Sequence, residues 1–242
     1  MPLLIGIGGR PRDGPFRLRS PFLPTGSMKT IRSLSFSVVL AVAAFAGGLE
    51  AQQNKPIPGV RPPPPLAPMA SQRVLVLPVQ LLRADSGAWL DARGWDRFRR
   101  ELDDSIGSLV AARGVGRSWK YASDAVRIAK RNPDYVSDPY SMGVQPMRTV
   151  VYKIGDRLPE PFVSNLRSLI ALADTRYALV PVEAWFVRKG AQQIVVMKLA
   201  LADGQGGSIV WLGEVGSDPA TTMPPDLANT LATRVANLII AP

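Results

Sequence analysis

The chain has 242 residues, no cysteine and no histidine, and a formal net charge of +10 from 29 basic and 19 acidic side chains. Without cysteine there is no disulfide, thiolate nucleophile or lipid-modified cysteine, and without histidine there is no Ser-His-Asp triad and no imidazole metal site. We therefore expect a protein that is not an enzyme, has no cofactor or metal, and depends on its hydrophobic core for stability.

A secretory signal is predicted from Met28 to Ala51. Lys29 and Arg32 form its positive start, and an apolar run over residues 34–46 follows them. This run is shorter than the roughly 20 apolar residues that span a membrane, so we expect cleavage and no transmembrane segment afterwards. The alternatives are an uncleaved segment that tethers the protein to the membrane, or a buried core helix. The signal predicts an extracytoplasmic protein that is either periplasmic or secreted.

The segments on either side of the signal are predicted to lack a fold. Residues 1–27 show no helical or strand period and are interpreted as a disordered or mis-assigned leader. Loss of residues 1–51 would remove six basic and two acidic side chains and leave a charge of +6. That smaller charge removes the main support for nucleic-acid binding. Residues 52–71 are rich in proline and are predicted to be a polyproline linker before an α+β domain over 72–242.

The first half of that domain is predicted to contain one strand and two helices. Residues 73–79 form a continuous apolar run, which is typical of a strand covered on both faces. An amphipathic helix follows over 95–113, and Gly114 is placed to end it in the left-handed conformation. A shorter helix is predicted over 123–130, and residues 134–147 are predicted to form a long surface loop.

The second half is predicted to be a helix, a meander and a final helix. The first of these helices covers residues 161–173, and the last one opens at Thr222 and Pro224. Between them, three antiparallel strands with glycine turns are predicted over 177–187, 193–201 and 208–215. Together the elements predict a single α+β domain whose mostly antiparallel sheet of about four strands packs against amphipathic helices.

Three pieces of this pattern resemble a known family. They are the first strand, Val-Leu-Val-Leu-Pro-Val at 74–79, the segment 176–187, and the segment 199–211 with its glycine turn before Ile-Val-Trp. In this order they resemble the TolB amino-terminal and CsgG-like family, over residues 73–240. The resemblance implies an extracytoplasmic α+β domain that works by protein contact in secretion or envelope maintenance. It does not imply pore formation, because the chain lacks both the lipidated cysteine and an obvious pair of lipid-facing hairpins.

Aromatic side chains beside cations suggest a surface for partner binding. An exposed tryptophan next to basic residues is a common anchor at protein interfaces, and Trp119 is flanked by such residues; packing in the core is its alternative. Tyrosines of the predicted loop would extend the surface. The predicted partner-binding residues are Arg117, Trp119, Lys120, Tyr121, Tyr135 and Tyr140.

The acidic residues give no catalytic or metal-binding pattern. Asp103 and Asp104 are consecutive in a predicted helix and diverge by about 100°, so we interpret them as a solvated face rather than a catalytic pair. Asp134, Asp138 and Asp156 do not have the spacing of a calcium-binding loop. We therefore predict no catalytic and no metal-ligating residue.

These observations favour a non-enzymatic exported protein that acts as an envelope-associated binding, assembly or scaffold component. We expect an envelope protein as its partner, self-association as an option, and no nucleic acid. One alternative is a carboxylate-dependent hydrolase acting on cell-wall or carbohydrate material, which requires paired buried carboxylates in a cleft. Another is a polyanion-binding module, whose affinity falls steeply with salt. An exposed apolar patch favours the binding protein.

Overall fold

A mixed β-sheet lies at the centre of the fold, with helices on both of its faces. The computed structural model describes residues 62–83, 92–115, 117–221 and 226–241, which form one α+β domain. The strands in this part of the chain are β1 (Val74–Val76), β2 (Leu81–Arg83), β3 (Trp119–Lys120), β4 (Tyr177–Lys189), β5 (Gln192–Asp203) and β6 (Ser208–Gly216). Its α-helices are α1 (Ala92–Val110), α2 (Ala122–Arg131), α3 (Gln145–Thr149), α4 (Phe162–Ala173) and α5 (Asp226–Asn237).

The first strand of the chain lies inside the sheet and not at its edge. The strand order is β3-β1-β4-β5-β6, and β2 also pairs with β4. Val74 on β1 pairs in parallel with Trp119 on one side and with Tyr177 on the other. β2 is also parallel to β4, whereas β4, β5 and β6 form the antiparallel meander.

The expectation of about four strands in a mostly antiparallel sheet is therefore corrected to six strands in a mixed sheet among the described residues. The strands that the sequence did not reveal are β2, with three residues, and β3, with two. Segments of this length are too short to show the two-residue alternation by which a strand is recognised.

Burial on both faces of β1 follows from its central position, as the apolar run predicted. Val74 and Val76 join the core on one side of the sheet, and Leu75 and Leu77 join the core on the other side. All four side chains are buried. The strand is continuous in apolar residues because neither of its faces meets water.

Helices α1 and α5 cover one face of the sheet. Phe98, Leu102, Ile106 and Val110 follow a helical spacing along α1, and all are buried. The helix gives way to a single π-turn that contains Gly114 at φ 92°, so the predicted left-handed glycine is confirmed. The buried leucines and valine of α5 complete this core, at Leu227, Leu231 and Val235.

Helices α2 and α4 belong to the core on the opposite face. Phe162, Leu166 and Leu169 of α4 are fully buried, and Ala125 of α2 lies in the same cluster. The predicted surface loop 134–147 also contributes to this core, because several of its side chains are buried: Val136, Met142, Val144 and Met147. A high content of proline and glycine indicated the irregular backbone of this loop but not its burial.

The last ten residues of the predicted linker lie on the domain. Leu66 is only 2% exposed, and its amide donates a hydrogen bond to the carbonyl of Leu238 at 2.8 Å. A short 3₁₀ helix follows at Ala67–Ser71. The predicted leader, signal and first part of the linker, residues 1–61, lie outside the described residues, as do Thr222 and Pro224.

None of the described helices is both long and apolar enough to cross a membrane.

Candidate functional site

The tryptophan of the predicted contact surface is part of the core. Trp119 on β3 is 3% exposed, and its indole Nε1 donates a hydrogen bond to the carbonyl of Met69 at 3.1 Å. Its backbone pairs with Val74 of β1. A buried side chain cannot anchor a partner, so the core-packing alternative applies to this residue.

The other predicted contact residues fall into three places. Arg117 is exposed and Lys120 is half-buried, and both line one cavity with Trp119. Tyr121 packs against Gly107 of α1, and Tyr140 stacks with the guanidinium group of Arg99, about two turns earlier on the same helix. Tyr135 stands apart from these and is 76% exposed. Of the six residues, Arg117 and Tyr135 are exposed, Lys120, Tyr121 and Tyr140 are half-buried, and Trp119 is buried.

A buried carboxyl group lies where Tyr140 meets α1. Asp103 Oδ1 accepts a hydrogen bond from the amide of Val79, just beyond β1, at 2.9 Å. Burial raises the pKa of Asp103 to about 7, although the Val79 amide, the Tyr140 hydroxyl and the Arg99 charge each lower it. Burial and the Asp103 charge likewise raise the pKa of Tyr140 to about 12. Asp103 is thus not the solvated residue that the sequence predicted.

This carboxyl does not form the paired acids that a hydrolase requires. Asp103 and Asp104 both line a cavity of about 290 Å³, but Asp104 is exposed and points to a different side of the helix. Among the described residues, Asp104 is the sole carboxylate that acts on the pKa of Asp103. In the same part of the chain, no three acidic, histidine or cysteine side chains come together as a metal site.

Gln80 fixes the loop that carries Tyr140. Its amide nitrogen Nε2 donates to the carbonyls of Pro139 at 2.6 Å and Pro78 at 2.9 Å. Its Oε1 accepts from the amide of Met142 at 3.1 Å. Because these contacts satisfy backbone groups of the loop, Gln80 and Asp103 are best explained as structural residues that join the end of β1 to α1 and to the loop.

A second buried carboxylate holds β2 and α3 against β4. Glu183 is 5% exposed, and its Oε1 lies 2.9 Å from Nε of Arg148 and 3.5 Å from Nε of Arg83. Two positive charges compensate one buried negative charge, which is the condition under which a buried carboxylate is tolerated. The signal in the sequence is a single glutamate within a long apolar strand.

The outer edge of β6 is only partly covered by the rest of the described domain. Segment 155–158 covers only its beginning: Gly155 donates to the carbonyl of Ile209 at 2.8 Å, and Ile209 donates to Asp156 at 2.9 Å. From Val210 to Gly216, no backbone hydrogen bond on this outer side is made by the residues that the structure describes. The meander predicted β6, but not that it would be an edge.

Exposed apolar side chains precede the segment that covers the start of β6. Val150, Val151 and Ile154 are 50%, 87% and 68% exposed. Tyr152 among them and Leu212 on β6 are partly buried against the same core cluster, on the α4 side of the sheet. We call these three side chains together with the outer edge of β6 from 210 to 216 the edge surface.

No family model matches the chain, and no curated protein matches it. Among solved structures it is similar to the lipoprotein GNA1162 of Neisseria meningitidis, with 15% identity, a TM-score of 0.36, and coverage of 68% of this chain and 94% of that one. The PelC dodecamer of Paraburkholderia phytofirmans gives 14% identity, a TM-score of 0.36, and coverage of 75% and 96%. E. coli LpoB gives 14% identity, a TM-score of 0.35, and coverage of 83% and 91%.

At TM-scores below 0.5 these likenesses carry no argument about what this chain does. They give no specific support for the resemblance to the TolB amino-terminal and CsgG-like family, so that resemblance stays a prediction.

Proposed function

We propose that this protein is a non-enzymatic, exported assembly component of the cell envelope that associates with a second copy of itself through the edge surface. The observation that carries this proposal is the outer edge of β6 from 210 to 216, which has no backbone partner within the described ranges. Its place in the envelope depends on the predicted signal from Met28 to Ala51.

The composition of β6 supports pairing with another strand. Soluble proteins protect an exposed edge with lysine, proline or inward-pointing charges. β6 has none of these: its sequence is Ser-Ile-Val-Trp-Leu-Gly-Glu-Val-Gly, and Glu214 is its single charged residue. The side chains of Val150, Val151 and Ile154 are exposed just before the segment that bonds to Ile209, and exposed apolar area is typical of a protein contact.

Charge and spacing favour a second copy as the occupant of this edge. Ile209 is already bonded to segment 155–156, so a pairing strand can use only residues 210–216. An antiparallel pair centred on Gly213 uses all of them, and places Leu212 of one copy opposite Glu214 of the other. This register sets no like charges directly opposite each other, which would destabilise the pair.

We expect the purified protein to form a dimer whose dissociation depends on the charge at position 212. In Leu212→Glu, each copy places a carboxylate opposite Glu214, whereas in Leu212→Lys each copy places an ammonium group there. Both variants lose the same partly buried leucine, so their difference isolates the charge. Two cross-strand pairs at roughly 0.2–1 kcal/mol each predict about tenfold weaker association for the glutamate variant than for the lysine variant. Sedimentation equilibrium measures both constants.

Val187→Glu is the matched control, since Val187 is a partly exposed residue near the end of β4 and lies off the edge surface. It is expected to leave the dimer constant unchanged. A wild-type protein that stays monomeric up to millimolar concentration contradicts self-association, and equal constants for the two position-212 variants contradict the register. In the first case, the edge remains a site for an extended segment of another envelope protein.

A further inference from the structure

A cavity with an excess of positive charge opens where the parallel strands β1 and β3 begin. Its volume is about 420 Å³, within the range of small-molecule sites. Buried Trp119 forms part of its lining. The polar residues that line this basic cavity include Arg73, Arg117, Lys120, Asp174 and Thr175.

The cations of the basic cavity are only partly compensated. Asp174 is its one carboxylate, and Arg73 already pairs with it. Lys120 Nζ donates to the carbonyl of Ala173, a neutral group that leaves the ammonium charge unbalanced. Arg117 has no hydrogen bond or ion pair with any described residue. Three cations against one carboxylate leave a local excess of two positive charges.

An unsatisfied hydroxyl lies in the same lining. Thr175 is 8% exposed, and its Oγ1 is buried without a hydrogen-bond partner among the residues of known placement. Burying a hydroxyl without a partner costs free energy, and such groups are uncommon in native proteins. A ligand oxygen in the cavity would supply the missing partner once rotation of the Thr175 side chain turns the hydroxyl towards it.

We propose that the basic cavity binds a phosphate group. Phosphate oxygens accept hydrogen bonds from a guanidinium fork and from an ammonium group, which Arg117 and Lys120 provide, and the Thr175 hydroxyl is a third donor. The buried indole of Trp119 lowers the local dielectric, which strengthens these contacts. The cavity exceeds the size of one phosphate ion, so it has room for the molecule that carries the group.

The test compares inorganic phosphate with chloride at equal ionic strength, using the full chain. We expect phosphate to raise the unfolding temperature of the wild type in a saturable manner, and Arg117→Gln to weaken phosphate binding at least tenfold. Arg97→Gln is the matched control, because Arg97 is an exposed arginine of α1 that makes no hydrogen bond or ion pair with another described residue. This variant is expected to bind phosphate as the wild type does. Isothermal titration gives the constants.

Thr175→Val is a second test of phosphate binding, and it does not change the charge of the cavity. The substitution keeps the side-chain volume and removes the unpaired hydroxyl, so the variant is expected to fold without phosphate and to bind it several-fold more weakly. A wild type that responds equally to phosphate and chloride overturns the proposal, and so does an Arg117→Gln variant that binds as tightly as Arg97→Gln.

Vesicles identify the source of the phosphate group. A lipid headgroup is supported if the wild type binds phosphatidylglycerol vesicles but hardly binds phosphatidylcholine vesicles, and if Arg117→Gln weakens the binding to phosphatidylglycerol. Binding to inorganic phosphate alone supports a soluble phosphate compound. The absence of both overturns the proposal. Neither the phosphate experiment nor the vesicle experiment depends on self-association through β6, which is measured separately as a change in mass.

Discussion

At pH 8, Asp103→Asn is expected to be more stable than the wild type by about 4 kcal/mol. Burial raises the pKa of Asp103 to about 7 in the folded protein, whereas an unfolded aspartate titrates near 4. The difference is about three pKa units, and each unit corresponds to about 1.4 kcal/mol. Asparagine keeps an oxygen for the Val79 amide but carries no charge that burial would penalise.

Proton binding determines the direction in which the stability of the wild type changes with pH. Between about pH 4 and pH 7, the folded protein holds a proton on Asp103 that the unfolded chain has released, so the wild type loses stability as the pH rises through this window. Below the window both states are protonated, and the advantage of Asp103→Asn is expected to vanish. Urea unfolding at pH 4, 6 and 8 measures the change in unfolding free energy at each pH.

Asp104→Asn is the control for this pH dependence. Asp104 is the next residue on α1, but it is exposed, so its substitution is expected to change stability little and to keep the pH dependence of the wild type. If Asp103→Asn is less stable than the wild type at both pH 4 and pH 8, the contacts of the charged carboxylate outweigh its burial and the explanation fails.

Leu66→Ala is expected to lower the free energy of unfolding by about 3 kcal/mol. Leu66 belongs to the predicted proline-rich linker, yet it is fully packed in the core shared by α1 and α5. Removing a buried leucine side chain costs the lost transfer free energy and leaves a cavity. Denaturant unfolding of the two proteins gives the difference.

Leu172→Ala provides the comparison, because Leu172 is 44% exposed on α4. Its truncation is expected to cost well under 1 kcal/mol. Equal losses of unfolding free energy in the two variants would mean that residues 62–71 do not contribute to the core. The predicted linker would then extend to residue 71.

The long elements were predictable from the sequence because their periods are complete. α1 and α4 each present buried residues at helical spacing over three turns or more, and β4, β5 and β6 each run for nine or more residues. The order of the strands was not predictable in this way. The parallel pairing of β1 with β3 and β4 depends on contacts between residues that are far apart in the sequence.

In the candidate sites too, the charge of a residue is visible in the sequence, whereas its burial depends on contacts with residues far away in the chain. The charges of Arg117 and Lys120 are visible in the sequence, and both residues line one cavity. Trp119 between them is buried because β3 pairs with β1, which no neighbouring residue indicates. Asp103 and Asp104 are identical in type, and the contacts that distinguish Asp103 come from residues outside its own helix, Val79 and Tyr140.

The central position of β1 also constrains how the chain acquires its structure. Val74 pairs with Tyr177, which lies about a hundred residues later in the chain, so this side of β1 cannot pair until β4 has been made. Pairing over such a separation carries a large loop-closure cost and slows folding. Until β4 is available, the apolar run of β1 stays uncovered on at least one edge and prone to wrong pairing. A chain that crosses a membrane amino-terminus first would present this run early, so it is the segment that a holding chaperone on the far side would need to protect.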